Sequence, residues 1–166
     1  MNWLKANMEV CRALSKGETV YGHELGENMY LVTVDRVCAY LFPKKEIHFN
    51  LNDIRKLTKP IISSLDDYLH GYDLRATRVC LDLDRLGLVR KFEGNDYSVW
   101  IKSELLHHFS GTRFCQSISV EYQKLPISTV LVVEDNDPIG LVLPIRILDG
   151  MTIRDAASVA EFGGME

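Results

Sequence analysis

Adjacent His107 and His108, the paired carboxylates Asp82 and Asp84, and the acidic turn Asp135-Asn136-Asp137 are the residues whose types and spacing could do chemistry. A metal site needs several ligands converging on one point. Neighbours on a helix diverge by roughly 100°, so His107 and His108 cannot easily grip one ion and read as a solvated helix end. Asp82 and Asp84 would share one face of a strand and could hold a divalent cation there; the plainer reading is the wet face of that strand. Asp135, Asn136 and Asp137 have the composition of part of a calcium loop, but Pro138 and the lack of a later bidentate acid make them a plain turn. Cys115 has no sequence neighbour that would lower its pKa. No GxxxxGK[ST], GxGxxG, HExxH or GxSxG pattern occurs. The expectation is therefore a chain without catalytic residues, metal or cofactor.

Charge is more suggestive. The formal net charge is -4, so any contact with nucleic acid must come from a local patch. Lys44, Lys45, Arg55, Lys56 and Lys59 crowd one section, and Arg75, Arg78, Arg85, Arg90 and Lys91 another. Such clusters can neutralise phosphates, and arginine can also read bases. An ordinary solvated face explains them as well.

The 166 residues are enough for one domain with a real core, and 46% hydrophobic with 25% charged residues is a globular balance. Cys11, Cys38, Cys80 and Cys115 are widely spaced in apolar surroundings and read as reduced core residues. Lys5, Glu9 and Arg12 interrupt the first apolar stretch, so it is no signal peptide, and no run approaches the ~20 residues of a membrane helix. These features predict a soluble cytoplasmic protein with no membrane partner.

Leu4, Met8, Cys11 and Leu14 repeat at helical spacing before Gly17 and predict an amphipathic helix. Val20 to Leu25, Met29 to Val34 and Val37 to Phe42 predict a three-stranded meander. A helical insert is expected over 50–71: Asn50 and Asp53 open a helix that Pro60 ends, and Ser64 with Asp67 caps a shorter one ending at Gly71. Residues 76–86 fit strand and helix about equally. Tyr97 to Ile101 is a strand, Ser103 caps a short helix through Phe109, and Ile118, Val120 and Tyr122 mark a half-buried strand. Thr129 to Val133 and Gly140 to Ile147 form a closing hairpin turned at Asp135 to Pro138. Thr152 with Asp155 would cap a last short helix in a tail over 149–166. The expectation is one α+β domain over 1–148, with helices packed on an antiparallel sheet.

The order helix, three strands, helical insert, strands, helix, strands is similar to the two halves of one domain of a DNA polymerase sliding clamp. The motifs that carry this resemblance lie mostly in 103–147. They are the short helix, the strand ending at Tyr122, Pro126 before Thr129-Val-Leu-Val-Val133, and Gly140-Leu-Val-Leu-Pro-Ile-Arg146, which resembles the Met-Pro-Met-Arg close of bacterial clamps. Met29-Tyr-Leu-Val-Thr-Val-Asp35 looks like the strand before the clamp's Thr-Asp-Gly turn, with Arg36 in place of the glycine. The resemblance implies a non-catalytic module of DNA metabolism. Lys5 and Arg12 would face duplex DNA, with Arg55, Lys56, Lys59, Arg75 and Arg78 as further cations. Leu143, Pro144 and Arg146 would lie at a pocket for peptide motifs of replication or repair proteins. Clamps carry several such domains in a ring, so a chain of this length would form a homo-oligomer or serve as an adaptor.

Residues 64–101 are also similar to the winged helix of bacterial regulators. There Leu74 to Leu86 would be the recognition helix, Arg75, Thr77 and Arg78 would meet the major groove, and Gly94-Asn95 would tip the wing. A protein-interaction domain with no role on DNA is the third reading.

Overall fold

The computed structural model describes residues 1–62, 64–111, 113–117 and 128–147, and the backbone of 153–155. Helix α1, Trp3–Ser15, is capped by the Asn2 side chain, which accepts from the Lys5 N–H at 3.0 Å. Gly17 ends it with φ +75. Its buried face is Ala6, Asn7, Val10 and Ala13, while Leu4 and Met8 are 69% and 54% exposed. Leu4 and Met8 of the predicted stripe thus face outward, while Leu14 and the preceding Trp3 pack against the core. Cys11, read as a core residue, is exposed as well.

Strands β1 (Tyr21–Leu25), β2 (Met29–Thr33) and β3 (Cys38–Pro43) form the expected antiparallel meander. The helix expected from Asn50 does not form. The Asn50 side chain does cap, accepting from Asn52 N–H at 3.0 Å, but only over a single 3-10 turn, Leu51–Asp53. The chain then becomes β4 (Arg55–Lys56), parallel to β1. Arg55 N–H donates to Val20 O at 2.8 Å and Leu57 N–H to Gly22 O at 3.1 Å. The open edge of β1 supplies these bonds, and only Ile54 is buried there to anchor a helix instead. The next helix, α2 (Asp66–Leu69), starts at Leu65 without a side-chain cap rather than at Ser64.

Residues 76–86 are strand. β5 (Tyr72–Leu83) and β6 (Gly87–Glu93) are paired antiparallel, with a bulge between Ala76 and Cys80, and β7 (Ser98–Lys102) follows. The recognition helix of the winged-helix reading is therefore not there: Arg75, Thr77 and Arg78 lie on the bulged strand. Helix α3 is one turn, Ser103–Leu106, capped by Lys102 with no side-chain bond; Ser103 is inside the helix and buried. β8 (Arg113–Gln116) was not expected, and the strand expected at Ile118 to Tyr122 lies outside the described residues.

The closing hairpin is β9 (Val130–Glu134) and β10 (Asp137–Val142). Its turn is shorter than expected, with Asp135 and Asn136 at φ 48 and 70 and Asp137 already paired. Ile153–Asp155 is a short strand, β11, against β5, so Asp155 does not cap a helix; Thr152 lies outside the described residues.

All eleven strands form one sheet in the order β4-β1-β2-β3-β10-β9-β8-β5-β6-β7, with β11 off this path on β5. With three α-helices beside it among the described residues, the chain is α+β. The sheet curls until its far edge meets the chain after β10: Ile145 N–H donates to Trp100 O at 2.8 Å. Side chains alternate across the sheet. Tyr30, Val32, Tyr40 and Phe42 face α1; Leu31, Leu41, Leu131 and Leu141 face the opposite layer with Ile62 and Tyr68. Phe92, Val99, Ile101, Val130 and Val132 fill the space inside the curl. Covered faces on both sides explain why β2, β3, β9 and β10 read as unbroken apolar runs. Among the described residues no helix is long and apolar enough to cross a membrane.

Candidate functional site

The residues singled out for metal chemistry are not brought together. Asp82 is on β5 and Asp84 in the turn after it, so they do not share a strand face. His107 is exposed while His108 turns inward. Among the described residues no group of three histidine, cysteine, aspartate or glutamate side chains could hold a metal. Cys115 is fully buried, and burial pushes its thiol up to about 11, away from the range of a nucleophile.

His108 belongs to a cluster that the sequence does not announce. Tyr40 donates its hydroxyl hydrogen to Glu9, and His108 Nδ1 lies 2.9 Å from Tyr40 Oη and 3.2 Å from Glu9 Oε2. Burial and the Glu9 carboxylate hold the Tyr40 phenol well above its usual range, so it stays protonated. The cluster sits beside a cleft of about 300 Å³ bordered by Lys5, His107 and Phe109. It ties α1 to the chain after α3. A wider hollow of about 440 Å³ holds the N-terminal ammonium, whose nitrogen is 2.5 Å from both Glu134 carboxylate oxygens. Its strongest charges neutralise each other.

A third recess is shallow, about 30 Å³, and lies where β3 meets β10. Thr33, Val37, Ile61 and Leu143 border it. Val37, Ile61 and Leu143 are 39%, 39% and 41% exposed, three of the seven large apolar side chains that stand out from the surface among the described residues. Each is held by backbone. Leu143 N–H donates to Val37 O at 2.8 Å, and Ile61 N–H donates to the buried His23 Nε2 at 3.3 Å. His23 Nδ1 faces Glu24 O at 3.0 Å, so the ring carries its hydrogen on Nδ1 and accepts on Nε2.

The turn that leads into this recess runs through Arg36. Thr33 Oγ1 donates to Cys38 O at 2.7 Å and accepts from Arg36 N–H at 3.0 Å. Asp35 Oδ1 accepts from Val37 and Cys38 N–H at 3.0 and 3.1 Å. Arg36 takes φ 63, the left-handed conformation that a glycine would adopt without strain.

The residues assigned to partner binding fall at this recess in part. Leu143 borders it; Pro144 is buried; Arg146 is exposed three residues beyond Leu143. The cations assigned to DNA are carried by three elements and the segment after β4. Lys5 and Arg12 are exposed on α1, and Arg55, Lys56 and Lys59 follow the β4 edge. Arg75 is paired with Glu93, and Arg78 lies in the β5 bulge. Arg90 is buried and donates to Thr77 O at 2.5 Å, which removes it from the basic cluster read in the sequence. Val37 and Ile61 carry no site signal in the sequence: Val37 opens the apolar run of β3 and Ile61 stands between Pro60 and Ile62, and only the fold unites them with Leu143. In comparisons with known proteins the chain matches no family model, no curated protein and no solved structure.

Proposed function

We propose that this chain is a non-catalytic, clamp-like module of DNA metabolism. It holds partner proteins by a short peptide at the recess beside its closing hairpin and meets duplex DNA as an oligomer. The observation that supports this reading is the convergence of Val37, Ile61 and Leu143 on one recess, with Leu143 bonded through the backbone to Val37 and Ile61 to the buried His23 ring. An apolar spot of this kind fits the tip of one aliphatic side chain, which suits a peptide anchor better than a metabolite. The exposed Lys5 and Arg12 on α1 are the surface that phosphates would meet.

The test is solution mass by light scattering together with the anisotropy of a fluorescent duplex at about 50 and 200 mM salt. A ring-sized oligomer with sequence-independent binding that weakens steeply with salt is the expected result. A monomer that ignores the duplex at both salts refutes the DNA half and leaves a protein-interaction domain. For the peptide half, peptides selected from a random display library on the whole protein should lose binding to Leu143→Asp and keep it to Val79→Asp. Equal retention by both variants refutes the recess as the site.

A further inference from the structure

One cation, Arg36, borders the recess, and four more follow on β4 or within a few residues of its apolar side chains; none of the five makes an ion pair among the described residues. Five cations elsewhere are paired: Lys44 with Glu24 at 3.2 Å, Lys102 with Glu104 at 3.2 Å, Arg113 with Asp73 at 2.8 Å, and both Arg75 and Lys91 with Glu93, whereas Lys5, Arg12, Lys16 and Lys45 make no ion pair among the described residues. Beside the recess five further cations stand unpaired. Arg36 borders it, with its guanidinium carbon 4.3 Å from the centre of the Tyr21 ring. Arg55 approaches the same ring at 5.9 Å. Lys56 continues β4, Lys59 stands two residues before Ile61, and Arg146 three residues after Leu143. All five are exposed. Asp35, the acid next to Arg36, already accepts two backbone N–H groups on one oxygen; Asp53, near Arg55, is exposed in the 3-10 turn. On α1, Lys5 has Glu9 one turn away, and Arg12 and Lys16 stand on a convex helix rather than at a recess.

We propose that the recess selects an acidic linear peptide, with one aliphatic side chain on Val37, Ile61 and Leu143 and flanking carboxylates on Arg36, Arg55, Lys59 and Arg146. This rests on the reading of the recess as a partner site and adds the chemistry of the partner. The apolar floor alone offers little area, so an anchor there binds weakly and in no fixed direction. Carboxylates on both sides supply direction and a faster encounter, because unpaired cations on a chain of net charge -4 make a local positive field. The Tyr21 ring orders two guanidinium groups and leaves their N–H edges open to carboxylate oxygens. A nucleic acid would satisfy the cations but has no aliphatic group for the floor between them, which favours a peptide.

The experiment is anisotropy of three labelled peptides on the full chain. They share a Leu-Leu core and carry flanks of Asp and Glu, of Asn and Gln, or of Lys and Arg. We expect the acidic peptide to bind about tenfold tighter than the amide peptide at low salt, with the gap closing as salt rises. Arg36→Glu with Lys59→Glu should abolish the preference for the acidic peptide; Arg55→Glu with Arg146→Glu is the independent second pair. Acidic and amide peptides that bind equally, and are both lost in Leu143→Asp, overturn the charge selection and keep the recess. Failure of all three peptides to bind overturns both. Acidic-peptide binding that survives Leu143→Asp, or that a short duplex competes away equally in wild type and Leu143→Asp, also overturns the proposal and marks a general polyanion surface.

Discussion

Asn7 is a polar side chain with 4% of its surface exposed, seated on the buried face of α1. Its amide joins three backbone groups: Nδ2 donates to Trp3 O and Glu46 O, both at 2.8 Å, and Oδ1 accepts from His48 N–H at 2.7 Å. Asn7→Ala removes all three bonds and orphans the Glu46 carbonyl and the His48 N–H. At about 1 kcal/mol net per bond the loss is roughly 3 kcal/mol. Glu46 and His48 are partly exposed, so water relieves some of the orphaning, and alanine gains about 0.5 kcal/mol of helix propensity. The expected net cost is about 2 kcal/mol. With an m-value of about 2 kcal/mol/M, the urea midpoint should fall by about 1 M. Asn7→Asp is the sharper variant. It keeps an acceptor for His48 but points carboxylate oxygens at two carbonyls, so it should be at least as damaging as alanine at neutral pH. Those carbonyls and burial raise the aspartate's folded pKa above its unfolded one. Its deficit relative to wild type should therefore shrink as pH falls below the folded value and grow as pH rises through it. A midpoint within about 0.3 M of wild type for Asn7→Ala, or an Asn7→Asp deficit that is flat with pH, refutes the assignment of Asn7 as the lock between α1 and the 44–48 segment.

Arg36→Gly relieves a left-handed backbone worth about 1–2 kcal/mol but loses the Tyr21 contact and loosens the unfolded chain. The melting temperature should barely move, whereas Asp35→Ala, which frees two N–H groups, should lower stability by about 1–2 kcal/mol. A larger loss for Arg36→Gly than for Asp35→Ala would be inconsistent with this turn. Hydrogen bonds from the N-terminal ammonium and from Ser110 hold the Glu134 carboxyl below its usual value. A depressed carboxyl stabilises the fold above its unfolded pKa and loses that effect as pH falls through the folded one. The stability gap between wild type and Glu134→Gln should thus be greatest near neutral pH and close in acid, and a gap that widens in acid, followed by thermal melts, contradicts the pair. Met8→Gln should leave the melting temperature within about 2 °C, while Ala6→Leu, at a site 1% exposed, should cost about 1–3 kcal/mol by overpacking. The opposite order would mean that α1 is turned the other way.

The strands were legible where both the run and its ends carried a signal. Gly26 takes φ +71 in the β1–β2 turn, and Asp135-Asn136 supplies the two left-handed residues of the closing hairpin. The uncertainty over 76–86 has a physical origin as well. β5 is bulged between Ala76 and Cys80, so its alternation breaks where a helical period can be fitted instead. At Asn50 the cap was legible but not its consequence. The chain after one turn is taken by the open edge of β1, a partner some thirty residues earlier that no local pattern reports. The recess escaped for a similar reason: Val37, Ile61 and Leu143 come from three separate stretches, joined by backbone bonds to one another and to His23.

The rotation of α1 follows from volume. Two stripes run along its sequence at helical spacing, Leu4-Met8-Cys11-Leu14 and Ala6-Val10-Ala13, and hydrophobicity alone favours the first. The sheet face beneath is large: Tyr30, Tyr40 and Phe42 project toward the helix, and Phe42 also packs against Trp3 and Phe49 at 5.0 and 5.2 Å. Alanine and valine at the middle of the helix face let the backbone approach to close packing, with the larger Trp3 and Leu14 packed against the core at the two ends of the helix. Close approach is also what brings Asn7 within reach of the 44–48 backbone and Glu9 within reach of Tyr40 and His108. Small residues, a buried amide and a carboxylate on one helix face are thus a single arrangement. It leaves Leu4 and Met8 facing outward, because Ala6, Val10 and Ala13 hold the middle of the face that anchors the helix.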